Sequence, residues 1–217
     1  MSSSRGWIVV TGGGSGIGRA LVKYFSEQYN ILTCGRRSSL LEETKAQARR
    51  PERVVTVPAD ISDQSDRERF VSSLPPGAGV VLLVQNAAIG DPARLTEVSL
   101  PHLELALRVN LVAPLALTQA LLPALRLGAG RILHLGTSVA HHPQEGSLTY
   151  GITKGRRHYI HLGKSQDISL IIILAEANKM ILSLRWLSTA STSRSMQSRV
   201  LGLSVGLSPL AWWTLLE

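Results

Sequence analysis

The chain has 217 residues, 44% hydrophobic and 18% charged, which is enough for one well-filled core and too little for two ordinary domains. Its formal net charge of +8 does not point to nucleic acid. Residues 1–150 carry 15 Lys/Arg against 12 Asp/Glu, residues 151–217 carry 8 against 3, and no tight basic run has aromatics interleaved to stack on bases.

Cys34 is the only cysteine, which excludes an intrachain disulfide and fits a reducing, cytoplasmic setting. It falls in an apolar stretch, where a small buried hydrophobe is the expected role. The opening MSSSRGWIVV has no long apolar h-region, so no secretory leader is expected.

Short β-branched and aliphatic runs then alternate with amphipathic stretches. The expected strands are Trp7–Thr11, Ile31–Cys34, Val54–Val57, Val80–Val84 and Ile132–Leu135, buried on both faces as in a parallel sheet. The expected helices are Ile17–Tyr29, Ser38–Arg50 and Gln64–Leu74, the last stopped by Pro75-Pro76-Gly77. Leu100–Leu127 is long and apolar with Pro114 inside it, and reads as a central helix on the sheet. This alternation predicts a doubly wound α/β domain with its site at the carboxyl ends of the strands.

TGGGSGIG, Thr11–Gly18, follows the first strand and opens the first helix. Glycine at 12, 16 and 18 allows a tight turn and close approach of the backbone to a pyrophosphate, with free N–H groups and a favourable dipole at the helix start. At the end of the second strand an NAD site carries an acid for the ribose 2′-OH. Here Gly35, Arg36 and Arg37 stand instead. A guanidinium pairs bidentately with a 2′-phosphate, so NADP is expected over NAD.

Tyr150 and Lys154 stand four apart in YGITK, and Ser138 precedes Tyr150 by twelve residues. These features resemble the short-chain dehydrogenase/reductase family, in its NADP-dependent carbonyl-reducing branch, from about Gly6 to Lys164. TGGGSGIG matches the family's TGxxxGxG loop, and Gln85-Asn86-Ala87-Ala88 stands in for NNAG without its first Asn and its Gly. The resemblance implies a Rossmann-like doubly wound parallel sheet. It implies cofactor contacts from Thr11, Gly12, Ser15, Gly16, Ile17 and Gly18, from Asp60 and Ile61 near the adenine, from Asn86 and Ala87, and from Tyr150 and Lys154. It also implies a catalytic set of Asn110, Ser138, Tyr150 and Lys154. The Ser138–Tyr150 spacing is one residue shorter than usual, which leaves Thr137 as a second candidate hydroxyl.

A tyrosine with a pKa near ~10 is a poor acid at neutral pH, and an ammonium one helical turn away lowers it. The expected chemistry is carbonyl–alcohol interconversion by hydride transfer on a small-molecule substrate. Tyr150 is then the general acid/base, Ser138 orients the carbonyl oxygen, Lys154 also holds the nicotinamide ribose and Asn110 positions a water. Homo-oligomers are usual for similar proteins.

His141 with His142, and His158 with His161, lack a Cys or carboxylate cluster to complete a ligand set, so no metal is expected. Beyond Lys164 the resemblance fails. Ile168–Leu174 reads as a sixth strand and Glu176–Leu187 as a helix, but the Pro-Gly pair that should follow the strand is missing. Ser188–Ser198 has neither period, and the uncharged Val200–Leu216 is interrupted by Pro209, so a partner-docking or loosely packed tail is expected there rather than a membrane span. The expected organisation is a dinucleotide-binding and catalytic domain over residues 1–174, with 175–217 a divergent tail that leaves the sheet incomplete or irregular at that end. The tail either closes the pocket in its own way or comes from an alternative exon or shifted frame. The second account goes with a catalytically impaired form that binds nucleotide or a full-length partner.

Overall fold

A computed structural model of the chain describes residues 6–90, 92–137, 139, 145–155, 169–176 and 179–183, the last two segments as backbone. Ser138, the four histidines at 141, 142, 158 and 161, and the 200–216 run lie outside the described residues.

The apolar runs form the strands β1 (Trp7–Thr11), β2 (Asn30–Gly35), β3 (Val54–Pro58), β4 (Val80–Gln85) and β5 (Arg131–Thr137), followed by β6 (Ser169–Glu176) and β7 (Lys179–Ser183). They lie in one sheet in the order β3-β2-β1-β4-β5-β6-β7. Every neighbouring pair from β3 to β6 is parallel, as double-sided burial predicts. Strand order reverses between β1 and β4, and their carboxyl ends frame the crevice where doubly wound sheets bind ligands.

Two apolar layers hold the helices to the sheet. On one face Val9, Leu32 and Leu83 pack with Phe70 of α3 (Gln64–Ser72) and with Leu117, Leu121 and Leu125 of α5 (Ala113–Leu127). On the other, Ile8, Val10, Ile31 and Val84 pack with Val22 of α1 (Gly16–Phe25). α2 (Ser38–Ala46) lies alongside α1. It ends four residues before the expected Arg50, because Pro51 opens a 3₁₀ turn and disfavours helix in the residue before it.

The long apolar segment is one continuous helix of 28 residues made of α4 (Leu100–Leu107), a π turn over Arg108–Val112, and α5. Pro114 explains the turn. It has no N–H to return to the Asn110 carbonyl, and the ladder skips a residue so that Ala113 N donates to Arg108 O. Length and composition alone would let this helix cross a membrane. Its leucines 117, 121 and 125 are instead buried on the sheet.

One expectation needs correcting. The segment expected as a helix over Glu176–Leu187 contains β7, a five-residue strand antiparallel to β6 in the register Glu176↔Lys179 to Ile172↔Ser183. The reason is the open edge of β6, whose ladder groups the returning chain satisfies. Local helical spacing carried no information about that edge.

Candidate active site

The glycine turn is built by contacts that only glycine allows. Gly12 sits at φ +74° and Gly16 at φ +53°, the left-handed region where a Cβ is strained. A Cβ on Gly18 would stand 2.1 Å from Gly12 O, so the start of α1 presses directly onto the turn. Gly12 N and Gly13 N both donate to Cys34 O, at 2.9 and 3.0 Å, which ties the turn to the end of β2. The Cys34 thiol is fully buried, and burial pushes it up to about 12 against a bond from the Gly12 backbone that lowers it. It is a packing residue, not a nucleophile.

The ends of β1 and β4 are laced together. Asn86 N and Ala87 N both donate to Thr11 Oγ1 at 3.0 Å, and Thr11 Oγ1 donates to Val84 O at 3.3 Å. Asn86 Nδ2 donates to Thr11 O and Gly12 O, at 2.9 and 3.1 Å. Ser15 caps α1 without a side-chain cap bond, and no acidic residue occupies the first turn. That leaves a helix start suited to an anion.

A cleft of about 430 Å³ follows this crevice. Gly12, Ser15, Gly16 and Ile17 line it at the switch point, and Arg36, Arg37, Asp60 and Ile61 line it on the β2–β3 side. Asn86, Ala87 and Tyr150 line it on the β4–β5 side. Asp60 is held in place by its neighbours: its N–H donates to Asp66 Oδ2 at 2.7 Å, and its own Oδ1 accepts from Ser62 N and Oγ. The Asp60 N–H and the Arg69 guanidinium keep the Asp66 carboxyl below the usual aspartate range. Eleven residues expected at a dinucleotide therefore line one cleft, while Thr11, Gly18 and Lys154 support it from behind.

Tyr150 and Lys154 lie on α6 (Leu148–Gly155), which packs on α4 and the π turn. Lys154 is only 2% exposed. Its Nζ donates to Leu135 O at 3.0 Å and lies 5.3 Å from the centroid of the Tyr150 ring. A buried ammonium one turn from a phenol at the cleft is the arrangement that stabilises a phenolate. Thr137, the alternative hydroxyl, accepts from Val139 N at 3.4 Å.

Asn110 is fully buried and does not line the cleft. Its amide grips the exit of β4 instead: Ile89 N donates to Oδ1 at 2.9 Å and Nδ2 donates to Ile89 O at 2.7 Å. Nδ2 also donates to Thr153 Oγ1 at 2.9 Å, and that hydroxyl donates to Thr149 O. Asn110 thus joins the β4 exit to the helix that carries Tyr150.

Against this geometry the comparisons are specific. The family described as short chain dehydrogenase matches residues 6–160. The chain belongs to the short-chain dehydrogenase family. It is 30% identical over 166 residues to serine 3-dehydrogenase of Agrobacterium fabrum, covering 75% of this chain and 66% of that one. It is 32% identical over 153 residues to L-fucose dehydrogenase of Mus musculus, covering 68% and 54%. The solved short-chain dehydrogenase/reductase (glucose/ribitol dehydrogenase) of Brucella melitensis superposes with a TM-score of 0.71 at 25% identity, over 80% of this chain and 77% of that one. The matched stretch spans just under two thirds of the Agrobacterium relative.

For a short-chain dehydrogenase, three contacts in this site had escaped the sequence reading. Thr153 offered only the fourth position of YGITK, next to Lys154. Gly90 offered a glycine five residues after β4, and a Cβ there would stand 2.9 Å from Tyr150 Cδ2. Arg19 follows the last glycine of the motif, where a basic residue on a helix reads as solvated. Its guanidinium in fact reaches back to Gly14 O.

Proposed function

We propose that the chain is an NADP-dependent oxidoreductase that interconverts a small carbonyl compound and its alcohol, with Tyr150 as general acid/base. One observation carries this reading: a single cleft joins the glycine turn, the Arg36–Arg37 pair and Tyr150. Residues 1–174 act as the dinucleotide-binding and catalytic unit, and 175–217 as a divergent tail that is not a domain of its own.

The cleft fits a dinucleotide on its own terms. Gly12 and Gly16 hold conformations that keep Cβ atoms out of the cradle, and the uncapped Ser15 leaves α1's first N–H groups for a pyrophosphate. Arg36 and Arg37 are exposed at the α2 start, where guanidinium groups suit a 2′-phosphate and the end of β2 carries Gly35 in place of an acid for a 2′-OH. A bound nicotinamide dinucleotide supplies the hydride for carbonyl reduction and accepts it in the reverse direction. Tyr150 hands its phenolic proton to the carbonyl oxygen, and the Lys154 ammonium stabilises the phenolate left behind. Ser138 is assigned to hydrogen-bond that oxygen.

Self-association belongs to the same reading. Residues 109–125 hold no charge, yet Val112 and Leu115 stand exposed there. A second copy is the expected cover, and a cytoplasmic location goes with the single buried cysteine.

The family match stops at residue 160, and the unmatched tail after it favours one alternative, a form that binds dinucleotide and turns over poorly. Two measurements distinguish them: NADPH binding followed by fluorescence, and NADPH oxidation with a panel of ketones and diketones. Binding with turnover that disappears in Tyr150→Phe supports the enzyme. Binding without turnover supports the alternative, and absence of binding removes both.

A further inference from the structure

Between the glycine turn and α2 lies a polar brace that the proposed reaction does not use. Arg19, on the first turns of α1, donates from Nε and Nη2 to Gly14 O at 3.1 and 2.7 Å. Its other edge meets α2, with Nη1 to Glu43 Oε1 at 3.0 Å and Nη2 to Glu43 Oε2 at 3.2 Å. One planar group therefore holds both a carbonyl of the turn and both oxygens of a carboxylate on the neighbouring helix. The side chain is 22% exposed, well below the 46% of Glu43.

What this clamp fixes is spacing. Gly14 and Ser15 line the cleft at the switch point, whereas Arg36, Arg37 and Leu40 line it at the start of α2. Gly14 C=O and Ser15 N–H share one trans peptide plane, so the direction of the carbonyl sets the opposite direction of the N–H. Leu40 approaches the same glycine, since a Cβ on Gly14 would stand 3.3 Å from Leu40 Cβ.

We propose that Arg19 is a positioning residue for NADP: it turns the Ser15 N–H towards the pyrophosphate and, through Glu43, holds the α2 start at the distance the 2′-phosphate requires. The inference rests on the dinucleotide reading above and adds a selectivity element to it. Lysine does not replace this function. Its ammonium is a single point of charge and cannot present two edges to two partners.

The test uses the full chain, the variants Arg19→Lys and Glu43→Ala, and two probes, NADPH and adenosine 2′-monophosphate. The second probe occupies only the α2 end and has no pyrophosphate to register against the turn. Both variants are expected to weaken NADPH about tenfold, as loss of preorganisation does, and to bind adenosine 2′-monophosphate within about twofold of wild type. Wild-type NADPH affinity in either variant overturns the inference. So does parallel loss of both probes, which would make the brace a support of the fold and not of spacing. A wild-type chain that prefers NADH, or binds neither dinucleotide, instead overturns the NADP reading and the inference with it.

Discussion

Gly90 lies against the ring of Tyr150: a methyl group placed on it would stand 2.9 Å from Cδ2, 3.2 Å from Cγ and 3.3 Å from Cβ. The last two atoms are close to the Tyr150 backbone and cannot swing away cheaply. Gly90→Ala is therefore expected to displace the ring. A misplacement of this kind costs on the order of 10²-fold in rate, while NADPH affinity changes far less, because Tyr150 is one of many residues that line the cleft. Turnover measured beside fluorescence binding checks the split.

Lys154→Met separates function from stability. The ammonium is buried on α6, where a charge is costly even when hydrogen-bonded, and an apolar side chain of similar volume is often neutral or stabilising. The expected result is loss of most turnover with a urea midpoint equal to or above that of wild type. A large drop in the midpoint would make Lys154 a structural cation.

Asn110→Leu should act in the opposite way, on stability first. It removes three hydrogen bonds, leaving Ile89 N–H and C=O to find other partners while the Thr153 hydroxyl keeps its bond to Thr149 O. Each buried polar group left unsatisfied costs about 1–3 kcal/mol, so a loss on the order of 3 kcal/mol is expected. Urea unfolding with an unchanged m-value would report it.

Arg36→Ala combined with Arg37→Ala is expected to weaken NADPH by about tenfold or more, the scale of a charge-assisted pair. NADH should be little changed, since it has no phosphate on the ribose. The ratio of the two dissociation constants is the readout. An unchanged ratio would assign both arginines to solvent.

Asp63 and Asp66 give the pH prediction. Asp63 caps α3 by accepting from Asp66 N, and the Ser65 hydroxyl followed by the Asp66 N–H hold its carboxyl below the value of 3.8 usual for aspartate. Asp66 is held down by the Asp60 N–H and by Arg69. Both folded-state values are depressed, so the stability they supply is present above about pH 4 and is lost as pH falls through the folded values. Denaturation midpoints should decline on acidification below that point, and Asp66→Asn should flatten the decline.

The strands and the glycine turn were readable because local chemistry dictates them. Val9, Val10, Leu32 and Leu83 can only be buried on both faces, and Gly12 and Gly16 take up backbone angles that other residues resist. Gly12, Gly16, Arg36 and Arg37 were placed at the cleft by that frame, and the other seven cleft residues came from the family resemblance. The tertiary contacts of Asn110, Thr153 and Gly90 were not readable at this level, because each joins segments distant in sequence: Asn110 with Ile89, Thr153 with Asn110, Gly90 with Tyr150. Arg19 was hidden for a different reason. A guanidinium on a helix looks solvated until the fold brings Gly14 O and Glu43 to it. β7 was missed because the edge it pairs with is a property of the assembled sheet, not of its own five residues.

The wide turn at Arg108–Val112 acts as a phase shifter between two obligations of one helix. Within it the helix delivers Asn110 to Ile89, and downstream it keeps Leu117, Leu121 and Leu125 facing the sheet. Tightening the turn into a uniform α ladder with all its residues kept would rotate everything beyond by about 100°, one residue's share of a 3.6-residue turn. That would swing the leucines off the sheet. The width of the turn and its residue count are therefore coupled: the extra residue is tolerated only because the ladder widens to hold it.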